Sequence, residues 1–340
     1  MSDLHEANLT RWMARAVPEF EGLVTVQKFP HGQSNPTYRL DTPGGCYVLR
    51  RKPFGKLLPS AHAIEREHRL LSVLHPSGFP VPRPIALCTD DSVIGSVFYL
   101  MEWVAGRTYW DGRLLELPKK DRRSHYETMI DTIAALHGLN YQALGLGDFG
   151  APGNYVGRQV ARWTKQYRAA QTHDIPEVEK LIEWLPRTVR EQACSSIIHG
   201  DYRIDNLIYA PDEPQVRAVL DWELATIGDP LADFSYLAMN WVIPHEGRSG
   251  LADVDLDDKG LPSLDEAAAR YCTATGRDSL PDLHWYFAYN LFRVAAIFQG
   301  IKKRAIDGTA SNEQAAAIAE RVTPLACVAL TEARKAGANV

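Results

Sequence analysis

One short polar series constrains this chain more than any other feature. The segment from Ile198 to Asn206 reads Ile-His-Gly-Asp-Tyr-Arg-Ile-Asp-Asn, and Asp221 follows it after a β-rich run. A strand–loop–strand–strand arrangement would bring Asp201, Asn206 and Asp221 together at one end of a small sheet. Such a group suits magnesium-dependent phosphoryl transfer, because one carboxylate can orient a hydroxyl while an amide and a second carboxylate hold the metal on a nucleoside triphosphate.

The series resembles the catalytic segments of the aminoglycoside phosphotransferase and choline kinase superfamily. His199-Gly200-Asp201 with Asn206 is similar to the H-G-D-x-x-x-x-N loop of that superfamily, the counterpart of H-R-D-L-x-x-x-N in protein kinases. Asp221-Trp222-Glu223 resembles its metal-binding segment, and Gly228-Asp229-Pro230 with Asp233 resembles its G-D-P-x-x-D-L tail. The resemblance implies a kinase-like phosphotransferase.

Three further runs resemble one branch of that superfamily, the phosphotransferase-like domains that occur alone in bacteria or fused ahead of acyl-CoA dehydrogenases. The shared runs are Gly32 to Tyr38, Lys56 to His62 and Asp221 to Thr226. The resemblance covers roughly residues 20 to 310 and implies an α+β, two-lobed, protein-kinase-like fold. Residues 1–104 would form a small β-rich amino-terminal lobe that binds nucleotide. Residues 105–340 would form a larger, mainly helical lobe with the catalytic loop and the acceptor site.

The apolar pattern predicts the elements of these lobes. Before residue 104 it predicts five strands and one inserted helix that starts after Ser60. Capping boxes predict helices that start at Ser263 and Ser311. The stretch 281–304 is apolar nearly all round, so we expect it to be the buried central helix of the second lobe.

Four residues would carry the chemistry. Asp201 would act as the catalytic base that orients the acceptor hydroxyl and accepts its proton late in the reaction. Asn206 and Asp221 would supply hard oxygen ligands, which suit Mg²⁺ bridging the triphosphate of ATP. Arg203 stands where protein kinases often carry a lysine, and a guanidinium there could clamp the transferred phosphoryl group.

The cation that contacts the nucleotide phosphates could be Arg50 or Lys52. Both have the same strand parity, so both could face the cleft. The resemblance places Arg50 in the position of the usual third-strand lysine, with Lys52 as the alternative. The acid partner on the 60–74 helix would be Glu67, which matches an Arg-Glu pair of the family, although periodicity alone leaves Glu65 open.

Further contacts complete the expected ATP site. The loop from His31 to Pro36 occupies the place of the phosphate-covering loop, and Ser34 could contact the β- and γ-phosphates. Backbone groups of Glu102 and Val104 would hydrogen-bond adenine at a hinge between the lobes. Glu223 could touch a second metal or hold its own loop, and the sequence leaves both roles open.

The remaining residues of the series have other expected roles. We expect His199 to brace the catalytic loop and Asp233 to anchor the loop backbone, without a part in proton transfer. Three aromatic residues are candidates for the surroundings of the acceptor, namely Tyr202, Trp222 and Trp241.

Composition excludes several other classes. The net charge is −5, and no basic run reaches the length of a nucleic-acid-binding patch, so we expect no nucleic-acid partner. The five cysteines are scattered without a C-x-x-C pair, which is typical of thiols in a reducing compartment. The chain has no signal-peptide pattern and no run of about 18 apolar residues, so we expect a cytoplasmic protein without a membrane partner. The oligomeric state stays open.

We expect the acceptor to be a small molecule with a hydroxyl group. The segment from Glu332 to Val340 is slightly basic, whereas drug-modifying relatives tend to carry acids there. A hydroxylated acyl compound or other metabolite is therefore favoured over an antibiotic. The alternatives are a catalytically inactive nucleotide-binding regulatory module and an aminoglycoside- or choline-type kinase. The short stretch from Asp221 to Asp233 argues against a protein kinase, because it leaves little room for an activation segment. ATP and GTP are not distinguished.

Overall fold

A computed structural model of the chain describes residues 4–18, 20–29, 35–54, 63–246, 249–308 and 315–340. Ser34, the predicted phosphate contact, lies outside the described residues together with most of its loop. The shared run from Lys56 to His62 and the predicted helix caps Ser60 and Ser311 lie outside them as well.

Short strands and many helices make up the described residues. The strands are β1 (Thr25–Lys28), β2 (Thr37–Thr42), β3 (Gly45–Arg51), β4 (Pro84–Cys88), β5 (Phe98–Glu102), β6 (Ser196–Ile198), β7 (Leu207–Tyr209), β8 (Val216–Val219) and β9 (Thr226–Gly228). The α-helices are α1 (Glu6–Ala16), α2 (Ile64–Leu74), α3 (Lys119–Gly138), α4 (Tyr155–Ala170), α5 (Pro176–Trp184), α6 (Pro230–Ala238), α7 (Leu256–Lys259), α8 (Leu264–Thr275), α9 (Leu283–Ile306), α10 (Ala315–Glu320) and α11 (Val322–Lys335). This content confirms the predicted α+β class.

The chain divides into two compact units. The first unit contains residues 1–108 and 205–225, and the second contains residues 109–204 and 226–340. The predicted functional division at residue 104 remains a prediction. No helix in the part of the chain that the structure describes has the length and apolar character needed to cross a bilayer.

The first unit is built on an antiparallel sheet of five strands in the order β1-β2-β3-β5-β4. Helix α2 enters the chain between β3 and β4 and packs against β4 and β5. The predicted order of five strands with one inserted helix is therefore confirmed. Helix α1 contributes Leu9 and Met13 to a core with Leu40, Phe98 and Leu100, which are all buried.

The strands around the catalytic series differ from the expectation. Strands β7 and β8 pair with each other in the first unit, whereas β6 pairs with β9 in the second. The expected single small sheet is therefore wrong, because the predicted strand–loop–strand–strand run forms parts of two separate two-stranded sheets. Strand β9 reads Thr-Ile-Gly, so it has only one large apolar residue and no recognisable strand pattern.

The second unit is organised around helix α9. This helix packs against α4, α6, α10 and α11, and twelve of its residues are buried, among them Trp285, Tyr289 and Phe292. The predicted buried central helix is confirmed, with its ends shifted by two residues to Leu283 and Ile306. Helix α8 begins with the predicted capping box, in which Ser263 and Glu266 satisfy each other's backbone amides.

Candidate active site

A buried arginine organises the polar cluster of the first unit. Arg50 lies on β3, is 9% exposed, and donates from Nε to Oε2 of Glu67 at 3.0 Å. Its Nη2 donates to Oδ1 of Asp221 at 2.5 Å and lies 3.6 Å from Oε2 of Glu223. The guanidinium therefore joins the acid of α2 to the segment that follows β8.

The opposite charges of Arg50 and the neighbouring carboxylates stabilise one another. Burial alone would lower the pKa of Arg50, but the carboxylates of Glu67 and Asp221 outweigh burial and raise it. Burial raises the pKa of Glu67, and the adjacent Arg50 opposes that rise. The arginine therefore stays charged at every physiological pH and remains a fixed positive centre among acids.

The structure separates the two basic residues that the sequence left open. Arg50 pairs with Glu67, whereas Lys52 pairs with Glu65 at 2.6 Å, where the two side chains are 25% and 40% exposed. Glu67 shares the buried face of α2 with Leu70, Leu71 and Leu74, which explains why it reaches the strand that carries Arg50. The roles of Arg50 and Lys52 toward a nucleotide remain predictions.

The β7–β8 hairpin brings Asn206 and Asp221 to the same end. The amide of Leu220 donates to the carbonyl of Asn206 at 2.8 Å, and Leu207 pairs with Val219. Asp221 follows with φ 65° and ψ 60°, a left-handed conformation that Asp tolerates better than most residues. This local twist aims the side chain of Asp221 at Arg50.

The oxygens at this end of the hairpin suit a magnesium ion. Mg²⁺ is usually bound by one or two carboxylates together with substrate phosphates, so the carboxylate of Asp221 and the amide oxygen of Asn206 form an appropriate partial set. Among the described residues, His, Cys, Asp and Glu side chains do not gather in threes as they do at a site made by protein alone. Asp221 and Asn206 offer oxygen donors of the kind that would hold Mg²⁺ together with nucleotide phosphates.

Glu223 is held by its neighbours in the first unit. Its Oε2 accepts a hydrogen bond from Nδ2 of Asn35 at 3.2 Å, and Asn35 is 1% exposed. Of the two roles that the sequence left open, this contact supports the one in which Glu223 holds its loop.

The predicted hinge follows strand β5. The amide of Glu102 donates to the carbonyl of Arg83 at 3.0 Å, and the Glu102 side chain accepts from the Arg83 amide at 2.9 Å. The Glu102 amide is thus already hydrogen-bonded, and the adenine contact of the Glu102 backbone stays a prediction. Val104 is half-buried just beyond the strand, and its adenine contact stays a prediction.

The catalytic loop of the second unit is tied to α6 through Asp233. The two carboxylate oxygens of Asp233 accept from the amides of His199 and Gly200, each at 2.8 Å. Nδ1 of His199 accepts in turn from the amide of Asp201 at 3.2 Å. These contacts confirm that Asp233 anchors the loop backbone and that His199 braces the loop.

Asp201 follows on the same loop and is partly exposed, and two side chains approach its Oδ1. The hydroxyl of Tyr236 donates to Oδ1 at 2.7 Å, and Nε of Arg203 lies 3.2 Å from the same oxygen. Asp201 and Arg203 belong to the second unit, whereas Asn206 belongs to the first. The catalytic roles of Asp201 and Arg203 remain predictions.

Sequence reasoning missed two residues beside this loop. Tyr236 lies three positions after Asp233 on α6, so a helix drawn with Asp233 toward the loop would have placed Tyr236 on the same face. Arg293 is 6% exposed on α9 and donates from Nη2 to the carbonyl of Gly200 at 2.6 Å. An arginine inside an apolar helix was the available signal for this second contact.

The three aromatic residues predicted near the acceptor lie in the core, and their place beside an acceptor stays a prediction. All three are buried, and their polar atoms donate to backbone carbonyls: Tyr202 to Met129, Trp222 to Val219, and Trp241 to Pro262. These satisfied donors make the three side chains parts of the core.

The sequence of this chain is similar to those of known proteins. A family model described as the phosphotransferase enzyme family matches residues 25–278. Acyl-CoA dehydrogenase family member 10 of Mus musculus is 43% identical over 321 residues, which are 94% of this chain and 30% of that protein. This chain spans between 30% and 43% of the lengths of the members 10 and 11 that it matches.

Solved structures give the same fold. A crystal structure from Ralstonia eutropha JMP134, of a candidate aminoglycoside phosphotransferase, is 44% identical and covers 98% of this chain and 99% of that chain, with a TM-score of 0.89. A thermostable mutant of aminoglycoside phosphotransferase APH(4)-Ia, in a ternary complex with AMP-PNP and hygromycin B, is 14% identical with a TM-score of 0.62. That match covers 98% of this chain and 99% of the other chain and is a likeness of fold alone. The predicted kinase-like fold is confirmed.

Proposed function

The chain belongs to the phosphotransferase enzyme family, and we propose that it transfers the γ-phosphoryl group of ATP, with Mg²⁺, to a hydroxyl group of a small molecule. The observation that carries this proposal is the position of Arg50, which bridges Glu67 and Asp221. Kinases need a basic residue on the third strand that pairs with a helix glutamate, together with an aspartate for the metal.

The predicted residues would have separate roles in this reaction. Asp201 would orient the acceptor hydroxyl and accept its proton as the new O–P bond forms and the bond to the ADP oxygen breaks. Arg203 would contact the transferred phosphoryl group. Asn206 and Asp221 would hold Mg²⁺, which when bound neutralises charge on the β- and γ-phosphates.

The remaining predicted contacts would position the nucleotide. Arg50 would approach the phosphates, and Ser34 would cover them. Backbone groups of Glu102 and Val104 would hydrogen-bond the adenine. Lys52 stays the alternative to Arg50 as the phosphate cation.

The proposed acceptor is a hydroxylated acyl compound or a related metabolite. Support comes from the relatives that carry this region within proteins named as acyl-CoA dehydrogenase family members. The charges beside Asp201 agree, since Arg203 and Arg293 are cations and a polycationic aminoglycoside would meet repulsion there. APH(4)-Ia binds hygromycin B, and its low identity to this chain leaves its acceptor a property of that protein.

A turnover assay with paired variants tests the function. Purified protein is incubated with Mg²⁺, ATP and a panel of hydroxy acids, their thioesters and aminoglycosides, and phosphorylated products are identified by mass spectrometry. We expect Asp201→Asn to lower turnover by about 10²- to 10⁴-fold with nucleotide binding retained. Asp212→Asn, on the exposed connection between β7 and β8, serves as the control and should leave turnover unchanged. Nucleotide binding without transfer to any acceptor would favour the regulatory module instead.

A further inference from the structure

We propose that Tyr236 is a positioning residue for the Asp201 carboxylate and that Arg293 fixes Tyr236 and the loop behind it. This inference rests on the proposed function, because it assigns Tyr236 to the base of that reaction. Tyr236 does not contact the transferred group in the proposal. It acts by setting the direction in which Asp201 presents its carboxylate.

The hydrogen bond that Tyr236 donates to Asp201 persists at neutral pH. The ring is buried with 8% exposure, and its hydroxyl lies 2.7 Å from Oδ1 of Asp201. Burial and the negative charge of Asp201 raise the pKa of Tyr236, so the phenol stays protonated and donates. A hydrogen bond to an ionised acceptor is stronger than one between neutral groups.

The ion pair of Arg203 involves the same carboxylate oxygen that accepts the hydrogen bond of Tyr236. Arg203 also lies near Oδ1, with its Nε at 3.2 Å. A carboxylate that is fixed at Oδ1 has little freedom to rotate about its own axis, so the direction of Oδ2 is fixed as well. General-base catalysis depends on that direction, because the base must lie within hydrogen-bond reach of the proton it accepts.

Arg293 supports the same arrangement from helix α9. Its guanidinium carbon lies 5.0 Å from the centre of the Tyr236 ring, a cation–π distance, while its Nη2 donates to the carbonyl of Gly200 at 2.6 Å. Helix α6 packs against α9, and Nδ2 of Asn290 donates to the carbonyl of Ala232 at 2.9 Å. Tyr236 therefore stands on a rigid helix pair and not on a loop.

One face of helix α6 consequently contacts both the backbone and a side chain of the loop. Asp233 accepts the amides of His199 and Gly200, and Tyr236 holds the side chain of Asp201. The first contact fixes the backbone, and the second fixes the carboxylate. Small displacements of a catalytic group are costly, since a misplacement of about 1 Å can slow a reaction by roughly 100-fold.

The test removes the hydroxyl group of Tyr236 and, in a separate variant, that of Tyr286. Tyr236→Phe should lower kcat by about 10- to 100-fold with both KM values changed by less than about twofold. Tyr286→Phe is the matched control, because the hydroxyl of Tyr286 also donates to a carboxylate, that of Asp229, at 2.7 Å in the same unit. That control should leave kcat within about twofold. Replacement of Tyr236 by 4-aminophenylalanine, which restores a donor at the same place, should recover most of the lost kcat.

A readout without turnover keeps this inference separate from the proposed function. The carboxyl ¹³C resonance of Asp201, assigned by its loss in Asp201→Asn, is recorded at pH 7.5. It should move in Tyr236→Phe and stay in place in Tyr286→Phe. If the wild-type protein transfers no phosphoryl group, the proposed function is overturned. A shift of the Asp201 resonance in Tyr236→Phe would still support the positioning contact in that case. An unmoved resonance, or equal kcat losses in the two Phe variants, would overturn the inference about Tyr236.

Discussion

Nη2 of Arg50 lies 2.5 Å from Oδ1 of Asp221 while Nε of the same guanidinium lies 3.0 Å from Oε2 of Glu67. One buried cation therefore contacts both the acid of α2 and the acid that we propose as a magnesium ligand. In the proposed site Mg²⁺ would approach the same carboxylate and would share Asp221 with Arg50 or displace it. Metal binding and the placement of the arginine would then be coupled.

Loss of this arginine should destabilise the protein strongly. Arg50→Met leaves Glu67 buried without its cation, and breaking a buried pair of this kind costs about 3–5 kcal/mol in the free energy of unfolding. The control is Lys52→Met, because the more exposed pair of Lys52 and Glu65 should contribute only about 0–1 kcal/mol. Urea unfolding of both variants measures the difference. Equal losses would contradict a central structural role for Arg50.

The metal role of Asp221 can be separated from nucleotide binding itself. Asp221→Asn keeps the size of the side chain and removes the charge that we expect to hold Mg²⁺. Calorimetric titration with ATP should show that the gain in affinity from Mg²⁺ is lost, while binding without metal is unchanged or stronger. The same gain in the variant as in the wild type would assign the metal to other residues.

The sequence was most informative where apolar periodicity was long. The five strands of the first unit were recognisable as short β-rich runs between turn residues, and α9 as a long apolar run that is buried on most of its faces. Strand β9 was missed because Thr226-Ile227-Gly228 carries a single large apolar residue, and its absence led to the wrong single sheet. Periodicity thus identifies elements better than it identifies their partners.

The sequence likewise identified some side chains of the candidate site and missed others. The motif residues Asp201, Asn206 and Asp221 were recognisable because their spacing along the chain is characteristic. Tyr236 and Arg293 belong to helices distant in sequence from the loop, and only tertiary packing brings them to it. Contacts that depend on helix packing leave no local signal, so they require the structure.

Removal of the cap of helix α8 should lower the stability of the protein without changing its turnover. Ser263 accepts from the amide of Glu266 at 3.2 Å, and the Glu266 side chain accepts from the Ser263 amide at 2.7 Å. Ser263→Ala removes the cap and should lower the free energy of unfolding by about 1 kcal/mol. Turnover at 25 °C should stay at the wild-type level. A large loss of turnover in a folded Ser263→Ala protein would link α8 to the site.

The anchor of the catalytic loop should give the protein a pH-dependent stability. Burial would raise the pKa of Asp233, but hydrogen bonds from His137 and from the His199 amide hold the pKa below its ordinary value. A lowered pKa in the folded state stabilises the protein above the unfolded value of about 3.9, and the stabilisation is lost as the pH falls below it. Asp233→Asn should therefore cost about 2–3 kcal/mol at pH 7 and progressively less as the pH falls below 4.

Unfolding by urea at a series of pH values measures this difference between Asp233→Asn and the wild type. Asp212→Asn, which changes an exposed carboxylate, provides the baseline for a generic loss of charge. The wild type and Asp233→Asn should converge at low pH because the protonated aspartic acid and asparagine then both lack the negative charge that accepts the two loop amides. A constant gap between them from pH 7 to pH 3 would mean that the anchor acts through shape alone.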